Sequence, residues 1–205
     1  MEFESANPSV VKSIKQRVLL NAWLRARRQP HVLPSIDDFH SDDAGDELPD
    51  MMSFNVEGDG DGARFLITHE GTRLTAAYGY DRVDPAQRTH RYLDDAIGPE
   101  RYARVLPCYR TCLLRKRPAY SISTVLDADG KDVSYERLLL PFGHGDHVAQ
   151  IIGSYKAISI EGGFKIRNLM GVTPKALPAI VIRAVIDRDI VPVNRRSIDD
   201  VIELG

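Results

Sequence analysis

Cysteine is scarce in this sequence, and its scarcity limits the kinds of protein it encodes. Cys108 and Cys112 are the only two cysteines in 205 residues, too few for the disulfide framework of a small secreted domain. We therefore expect a cytoplasmic protein with reduced thiols. Their spacing of four residues places both on one helix face. Because no Cys-x-x-Cys pattern is present, we expect them to pack there, with a redox pair as the minority alternative.

Long apolar runs and an excess of one charge are also absent. No apolar stretch approaches the roughly 20 residues that cross a bilayer, and "MEFESANPSVV" lacks the apolar segment of a secretory signal. The 27 basic residues nearly balance the 29 acidic ones, for a formal charge of −2. We therefore expect neither a membrane nor a nucleic acid as partner.

Familiar catalytic and metal-binding motifs are missing as well. The sequence contains no nucleophile elbow and no phosphate-binding loop. The acidic stretch "SIDDFHSDDAGDELPD" lacks the spacing of a calcium loop and predicts an exposed linker. His144 and His147 flank a Gly-Asp turn, which explains their spacing without a metal. The sequence therefore indicates no metal site and no catalytic residue, and its cofactor stays unknown.

Two segments have the periodicity of long helices. "PSVVKSIKQRVLLNAWLRARRQ" carries apolar residues at helical spacing and predicts an amphipathic helix over residues 10–28. Such a helix covers either the chain's own sheet or the same helix of a second copy. "GPERYARVLPCYRTCLLRKR" predicts a second helix, kinked where Pro107 removes a hydrogen bond.

Five segments alternate apolar and polar residues and predict antiparallel strands. They are "MMSFNVEG", "RFLITHEGTRL", "PAYSISTVLD", "VSYERLLLPF" and "HVAQIIGSYKAIS", and glycine-aspartate turns join them. The last two are apolar on both faces, so both faces must be covered. Residues 75–93 predict short helical turns. In the tail, "TPKALPAIVIRAVIDRD" favours a short helix over a strand, and Ser197 begins a predicted terminal helix.

The order of these elements resembles the PAS domain family. The resemblance is carried by "RYLDDAIGPERYARVLPCY", "RPAYSIS", "DGKDVSYERLLLPFG" and "HVAQIIGSYKAI", and it is closest to single-PAS proteins of the alphaproteobacterial type. It implies an α+β fold: a five-stranded antiparallel sheet of order 2-1-5-4-3 with helices on one face, an N-terminal amphipathic helix and a C-terminal extension. The implied divisions are residues 1–47 (helix and acidic linker), 48–160 (PAS-like domain) and 161–205 (extension).

The resemblance also implies a function. We expect a non-enzymatic bacterial sensor in signal transduction that binds a small ligand or a protein partner and signals through its dimer or its tail. The expected partners are a second copy of the chain, another protein and a small molecule. The ligand-binding candidates are Tyr92, Tyr102, Tyr109 and Arg137. The candidates for the dimer or interaction helix are Val11, Ile14, Val18 and Trp23. The cysteine context of flavin photosensors is missing, and His90 is a minor candidate for a haem ligand.

Two other functions compete with this expectation. One is a small, cone-shaped α+β enzyme of the isomerase or dehydratase type, which needs an acid–base pair facing an apolar cavity. Glu136 and Arg137 are adjacent on a strand and point to opposite faces, so they cannot act on one substrate. The other is nucleic-acid binding through the arginines at positions 25, 27 and 28, which the helix dipole explains better.

Overall fold

The computed structural model describes residues 2–29, 32–39, 44–74, 89–127, 129–158 and 179–188. The predicted terminal helix at Ser197 and most of the helical turns expected over residues 75–93 lie outside these ranges. Residues 91–92, at the end of that segment, form a short strand and the next five a short helix.

The described strands form one mixed sheet. Its order is β1-β8-β5-β6-β7-β2-β3-β4. Strands β1 and β8 pair in parallel, and the remaining pairs in this order are antiparallel. The strands are β1 Glu4–Ala6, β2 Met51–Glu57, β3 Arg64–Glu70, β4 Arg91–Tyr92, β5 Ala119–Leu126, β6 Asp132–His144, β7 His147–Ile158 and β8 Ala179–Ile186.

The predicted fold class is wrong, because the sheet has eight strands and is mixed. The five strands expected from the sequence are adjacent as β3-β2-β7-β6-β5, but β4, β8 and β1 extend the sheet beyond them. Strands β1 and β8 come from the segments expected to lie outside the central domain. The segment 179–186 is a strand and not the favoured helix, because β5 offers a free edge that its β-branched residues pair with.

Helices cover the sheet on both faces and not on one. Among the described residues, the α-helices include α1 Ile14–Ala26, α2 Ala44–Glu47, α3 Leu93–Ile97 and α4 Pro99–Arg115. Helix α4 continues through Pro107, and its buried residues join those of α3 in one apolar core. The buried residues of α1 belong to a second core on the other face.

Strand β6 supplies side chains to both cores. Leu138 and Leu140 pack in the core beneath α1, whereas Leu139 packs in the core beneath α4. All three are fully buried. The prediction that this part of the sheet is apolar and covered on both faces is therefore confirmed, and the second cover comes from the same chain.

Helix α1 covers the sheet through a stripe that agrees only in part with the predicted one: Leu19, Ala22 and Trp23 are buried, with Leu20 beside them. It begins at Ile14, after a 3₁₀ turn at Pro8–Val10, and the Ser13 hydroxyl accepts a hydrogen bond from Gln16 N. The predicted stripe divides: Val11 and Trp23 are buried, Val18 is partly buried and Ile14 is 72% exposed. Trp23 Nε1 donates to the Pro141 carbonyl at 2.7 Å, which fixes the helix on β6.

We predict that Leu20→Ala in α1 destabilises the protein by about 2–5 kcal/mol, because it leaves a cavity where a fully buried side chain packs. The matched variant Ile14→Ala removes an exposed side chain of the same helix and should change the free energy of unfolding by less than about 0.5 kcal/mol. Urea unfolding followed by Trp23 fluorescence measures both. Equal effects of the two substitutions would contradict the packing of α1 on the sheet.

Candidate functional site

A row of polar side chains crosses the sheet beneath α4. In the strand register, Ser121 of β5 lies opposite Arg137 of β6, and Arg137 lies opposite Tyr155 of β7. Arg183 of β8 pairs with Ser121 on its other side. Directly paired residues of neighbouring strands share a face of the sheet, so these four side chains lie side by side.

Tight turns fix this register. Between β5 and β6, the buried Asp127 accepts hydrogen bonds on Oδ1 from the backbone N–H groups of Asp129 at 2.8 Å and Lys131 at 2.9 Å. Between β6 and β7, Gly145 takes a positive φ of 58°, which glycine adopts without strain. The two hairpins therefore bring Ser121, Arg137 and Tyr155 together whatever packs above them.

Helix α4 adds Cys108 and Tyr109 to the row. Tyr109 Oη lies 2.5 Å from Tyr155 Oη, a hydrogen bond in which either hydroxyl can donate. The Tyr109 ring packs edge-on against Phe54, with centroids 5.3 Å apart, and also contacts Phe65. Aromatic packing thus holds the Tyr109 hydroxyl over the polar row.

Gly153 makes room for the ring of Tyr155. A Cβ atom at position 153 would lie 2.5 Å from Tyr155 Oη and 2.8 Å from two of its ring carbons. These distances are too short for non-bonded contact, so any larger residue would displace the ring. The glycine therefore determines where the Tyr155 hydroxyl meets Tyr109.

Arg137 is the charged centre of this group, which we call the Arg137 cluster: Ser121, Tyr135, Arg137, Tyr155, Arg183, Cys108 and Tyr109. The residue is partly exposed, whereas its Nε is buried and has no hydrogen-bond partner among the residues that the structure describes. Its Cζ lies 5.8 Å from the centroid of the Tyr155 ring. The guanidinium thus has aromatic contact but an unused donor.

The side chains that would raise the pKa of Arg137 are thiol and phenol groups. Burial acts to lower the pKa of Arg137, while Cys108, Tyr109 and the other two tyrosines of the cluster would raise it once ionised, and the net shift is upward. Thiols and phenols ionise only in alkaline solution. None of these four groups therefore offsets the charge of the guanidinium at neutral pH.

The two cysteines are buried and free, which confirms their predicted packing on one helix face. Burial raises the pKa of the Cys108 thiol, although Arg137 and Ser121 act to lower it, and raises the pKa of Cys112 well above its ordinary value. A thiol must ionise to act as a nucleophile. Both therefore stay protonated and inert at neutral pH.

The four predicted ligand-binding residues divide between two places. Tyr109 and Arg137 lie in the cluster. Tyr92 lies in β4, where its hydroxyl donates to Glu57 Oε2 at 2.6 Å and its ring centroid is 3.6 Å from Arg64 Cζ. Tyr102 is partly buried near the start of α4. Its pKa is raised, mainly by burial and to a smaller extent by the nearby Asp94.

Sequence reasoning missed Ser121, Tyr135, Tyr155 and Gly153. A signal for Ser121 was present, since counting outward from the Asp129-Gly130 turn pairs it with Arg137. The same count along the next hairpin pairs Arg137 with Tyr155 after one bulge at Phe142/Gly143. The bulge shifts the register by one residue, which alternation alone does not reveal.

The neighbouring carboxylate, Glu136, points to the other face of the sheet, as predicted. It accepts hydrogen bonds from the Tyr120 hydroxyl at 2.9 Å and from the Ser13 backbone N–H at 3.2 Å. The Tyr120 hydroxyl in turn accepts from Lys12 N at 3.0 Å. Glu136 therefore secures the chain entering α1 and does not neutralise Arg137.

A groove of about 410 Å³ opens on the α1 face, away from the cluster. Its walls include Asp37, Glu57 and Phe142, and its floor carries Asn55 and Gln150. Gln150 Nε2 donates to Asn55 Oδ1 at 3.2 Å. None of the described side chains that line the groove has a buried polar atom without a hydrogen-bond partner, and we regard the Arg137 cluster as the stronger candidate site.

The described residues include no group of three or more His, Cys, Asp or Glu side chains placed to hold a metal ion. His90, considered as a haem ligand, is exposed and its Nδ1 lies 3.0 Å from Thr89 Oγ1. His144 and His147 pair at the ends of the β6–β7 turn, and His147 Nδ1 lies 3.5 Å from Asp59.

Comparison with known proteins assigns no family to the chain. No protein-family model matches it, and a search of curated proteins returns no match. Among the described residues, no helix has the length and apolar character needed to cross a membrane.

We predict that Gly153→Ala displaces the Tyr155 ring and destabilises the protein by about 1–3 kcal/mol, since overpacking forces side chains from their positions. Near-ultraviolet circular dichroism should report the altered tyrosine environment. Gly62→Ala is the control, because a Cβ atom there meets nothing within 4 Å. A Gly153→Ala variant with wild-type spectrum and stability would show that the ring does not depend on this glycine.

We predict that alkaline pH destabilises the protein through its buried thiols. The folded pKa of Cys112 is raised, so its contribution is complete below the unfolded thiol pKa of about 8.5 and declines as pH rises above it. The loss approaches about 1.4 kcal/mol per pH unit for this thiol. Urea unfolding between about pH 8 and pH 10 measures the slope, which Cys112→Ala should reduce. An unchanged slope in that variant would contradict the assignment.

Proposed function

We propose that this chain is a non-enzymatic regulatory module that binds a small molecule beneath α4. The observation that supports it is the buried Nε of Arg137, which lies in a row of hydroxyl and thiol groups and has no hydrogen-bond partner in the part of the chain that the structure describes. Leaving a buried donor unsatisfied costs about 1–3 kcal/mol, more when the group is charged. A bound molecule would remove that cost.

The surroundings of the Arg137 cluster resemble those of small-molecule sites in general. Leu139 and Ile151 are fully buried apolar neighbours on the same face of the sheet, and the polar groups converge from four strands and one helix. Ligand sites are mostly apolar, with a few fixed polar groups that orient the ligand. Arg137 itself is partly exposed.

Chemical features weigh against the isomerase or dehydratase alternative. Glu136 lies on the opposite face, and both thiols are protonated. Lys156 also lies on the α1 face, where its Nζ is within 2.5 Å of Glu47 Oε2 and 2.6 Å of Asp50 Oδ2. General acid–base catalysis needs a titrating pair near the substrate. Glu136 and Lys156 lie on the opposite face of the sheet, and the two thiols stay protonated.

The output of the module is also part of the proposal. We infer that the ligand changes the contacts of the chain with a second copy or with another protein, in the cytoplasm, where thiols stay reduced. A ligand shifts such an equilibrium only by the difference of its affinities for the two states. Helix α4 contacts the cluster through Cys108 and Tyr109, so it is the element that a ligand would move directly.

Native mass spectrometry of the full chain tests the binding. We expect a small molecule that stays bound in the native spectrum, is released on denaturation and is recovered chemically unchanged after incubation with the protein. Gly153→Ala should lower its occupancy, because this substitution moves Tyr155 without altering any charge. Gly62→Ala should leave the occupancy as in the wild type.

Two results would refute the proposal. Absence of any retained molecule, together with no contact in ligand-observed NMR screens, would exclude a binding module. Conversion of the recovered molecule into a product would instead identify an enzyme.

A further inference from the structure

The unused donor of Arg137 also indicates the chemical class of the ligand, an inference that rests on the proposed function. A guanidinium presents Nε and one Nη as two parallel donors, which match the two oxygens of a carboxylate. In Arg137 the Nε of this pair is buried and has no partner within the described ranges of the chain. The residue as a whole is partly exposed.

A bound anion would stabilise the positive charge of Arg137. Burying a charge is costly unless it is paired, and the described groups that influence Arg137 most are thiol and phenol groups. These are neutral at pH 7. The carboxylate adjacent in sequence, Glu136, is turned away and bound to Tyr120 and Ser13.

The Arg137 cluster lies among fully buried apolar residues. Ala119, Leu139 and Ile151 are fully buried members of the same core, and Tyr109 and Tyr155 meet above the row. The paired Nε and Nη donors of a guanidinium match the two oxygens of a carboxylate. We propose that the chain binds a carboxylate that pairs with the Arg137 guanidinium.

NMR of the ¹⁵N-labelled full chain tests this directly. The Arg137 Nε–Hε signal is assigned by its loss in Arg137→Lys. Benzoate and benzamide are matched probes, because they share a ring and differ in charge. We expect benzoate to shift the signal and to bind at least about tenfold more tightly than benzamide, as charge-assisted pairing requires.

Variants separate the charge from the fold. Arg137→Gln removes the charge, and Arg137→Lys keeps it while losing the paired donors, so both should weaken benzoate binding about tenfold or more. Arg110→Gln is the control, because Arg110 lies on α4 but binds the Asp61 carbonyl. The comparison of benzoate with benzamide in the wild type remains decisive if an Arg137 variant fails to fold.

Three results would overturn the inference. Equal binding of benzoate and benzamide would show that charge plays no part, and an Nε–Hε signal unmoved by benzoate, acetate or inorganic phosphate would remove the anion site. Tighter binding of phenyl phosphate than of benzoate would replace the carboxylate with a phosphate. If native mass spectra still show a retained neutral molecule, the proposed function stands and only the ligand class fails.

Discussion

Strand β6 is buried on both sides, and the remaining architecture follows from that constraint. Its residues alternate between two cores: Leu138, Leu140 and Phe142 contact one, and Leu139 contacts the other. An antiparallel sheet often leaves one face to water, but this strand has no side that tolerates exposure. The chain must therefore supply a cover for each face, and it uses α1 for one and α4 for the other.

Arg137 is the exception within this strand, and its position links the fold to the function. The alternation that buries Leu139 places Arg137 on the same face, beneath α4. Gly153 and Tyr109 then hold the Tyr155 hydroxyl close to the row. The Arg137 guanidinium is thus partly removed from water, at a cost in free energy, in a part of the sheet that lies between two tight hairpins. An apolar residue at this position would pack in the core without the free-energy cost of burying a charge, which is why we connect this arginine with a ligand.

The sequence predicted the strands that carry a clear alternation and the turns that carry glycine and aspartate. It also predicted that Glu136 and Arg137 diverge, because a strand has a period of two. It failed where tertiary pairing decides the outcome. The residues of β8 were predicted as a short helix with a strand as the alternative, and pairing with the edge of β5 selects the strand. Strands β1 and β4 have three and two residues, too few for a periodic signal.

The candidate site was partly predictable for the same reason. Tyr109 and Arg137 were identified, but Tyr92 belongs to the short edge strand β4, and Tyr155 was hidden behind a bulge. The helix α1 was predicted from residue 10, whereas Pro8–Val10 form a 3₁₀ turn and the helix begins at Ile14, which is exposed. The errors at Tyr155 and at the start of α1 both arise where the regular spacing of residues along a strand or helix is interrupted. Such an interruption is not visible in the residue pattern of one sequence.

The most direct test is an experimental structure of the full chain as it is purified, with attention to the density next to Arg137. The account predicts a carboxylate of a bound molecule within hydrogen-bonding distance of Nε. A carboxylate of the chain itself paired with that guanidinium, or an ordered water there and no ligand, would contradict it.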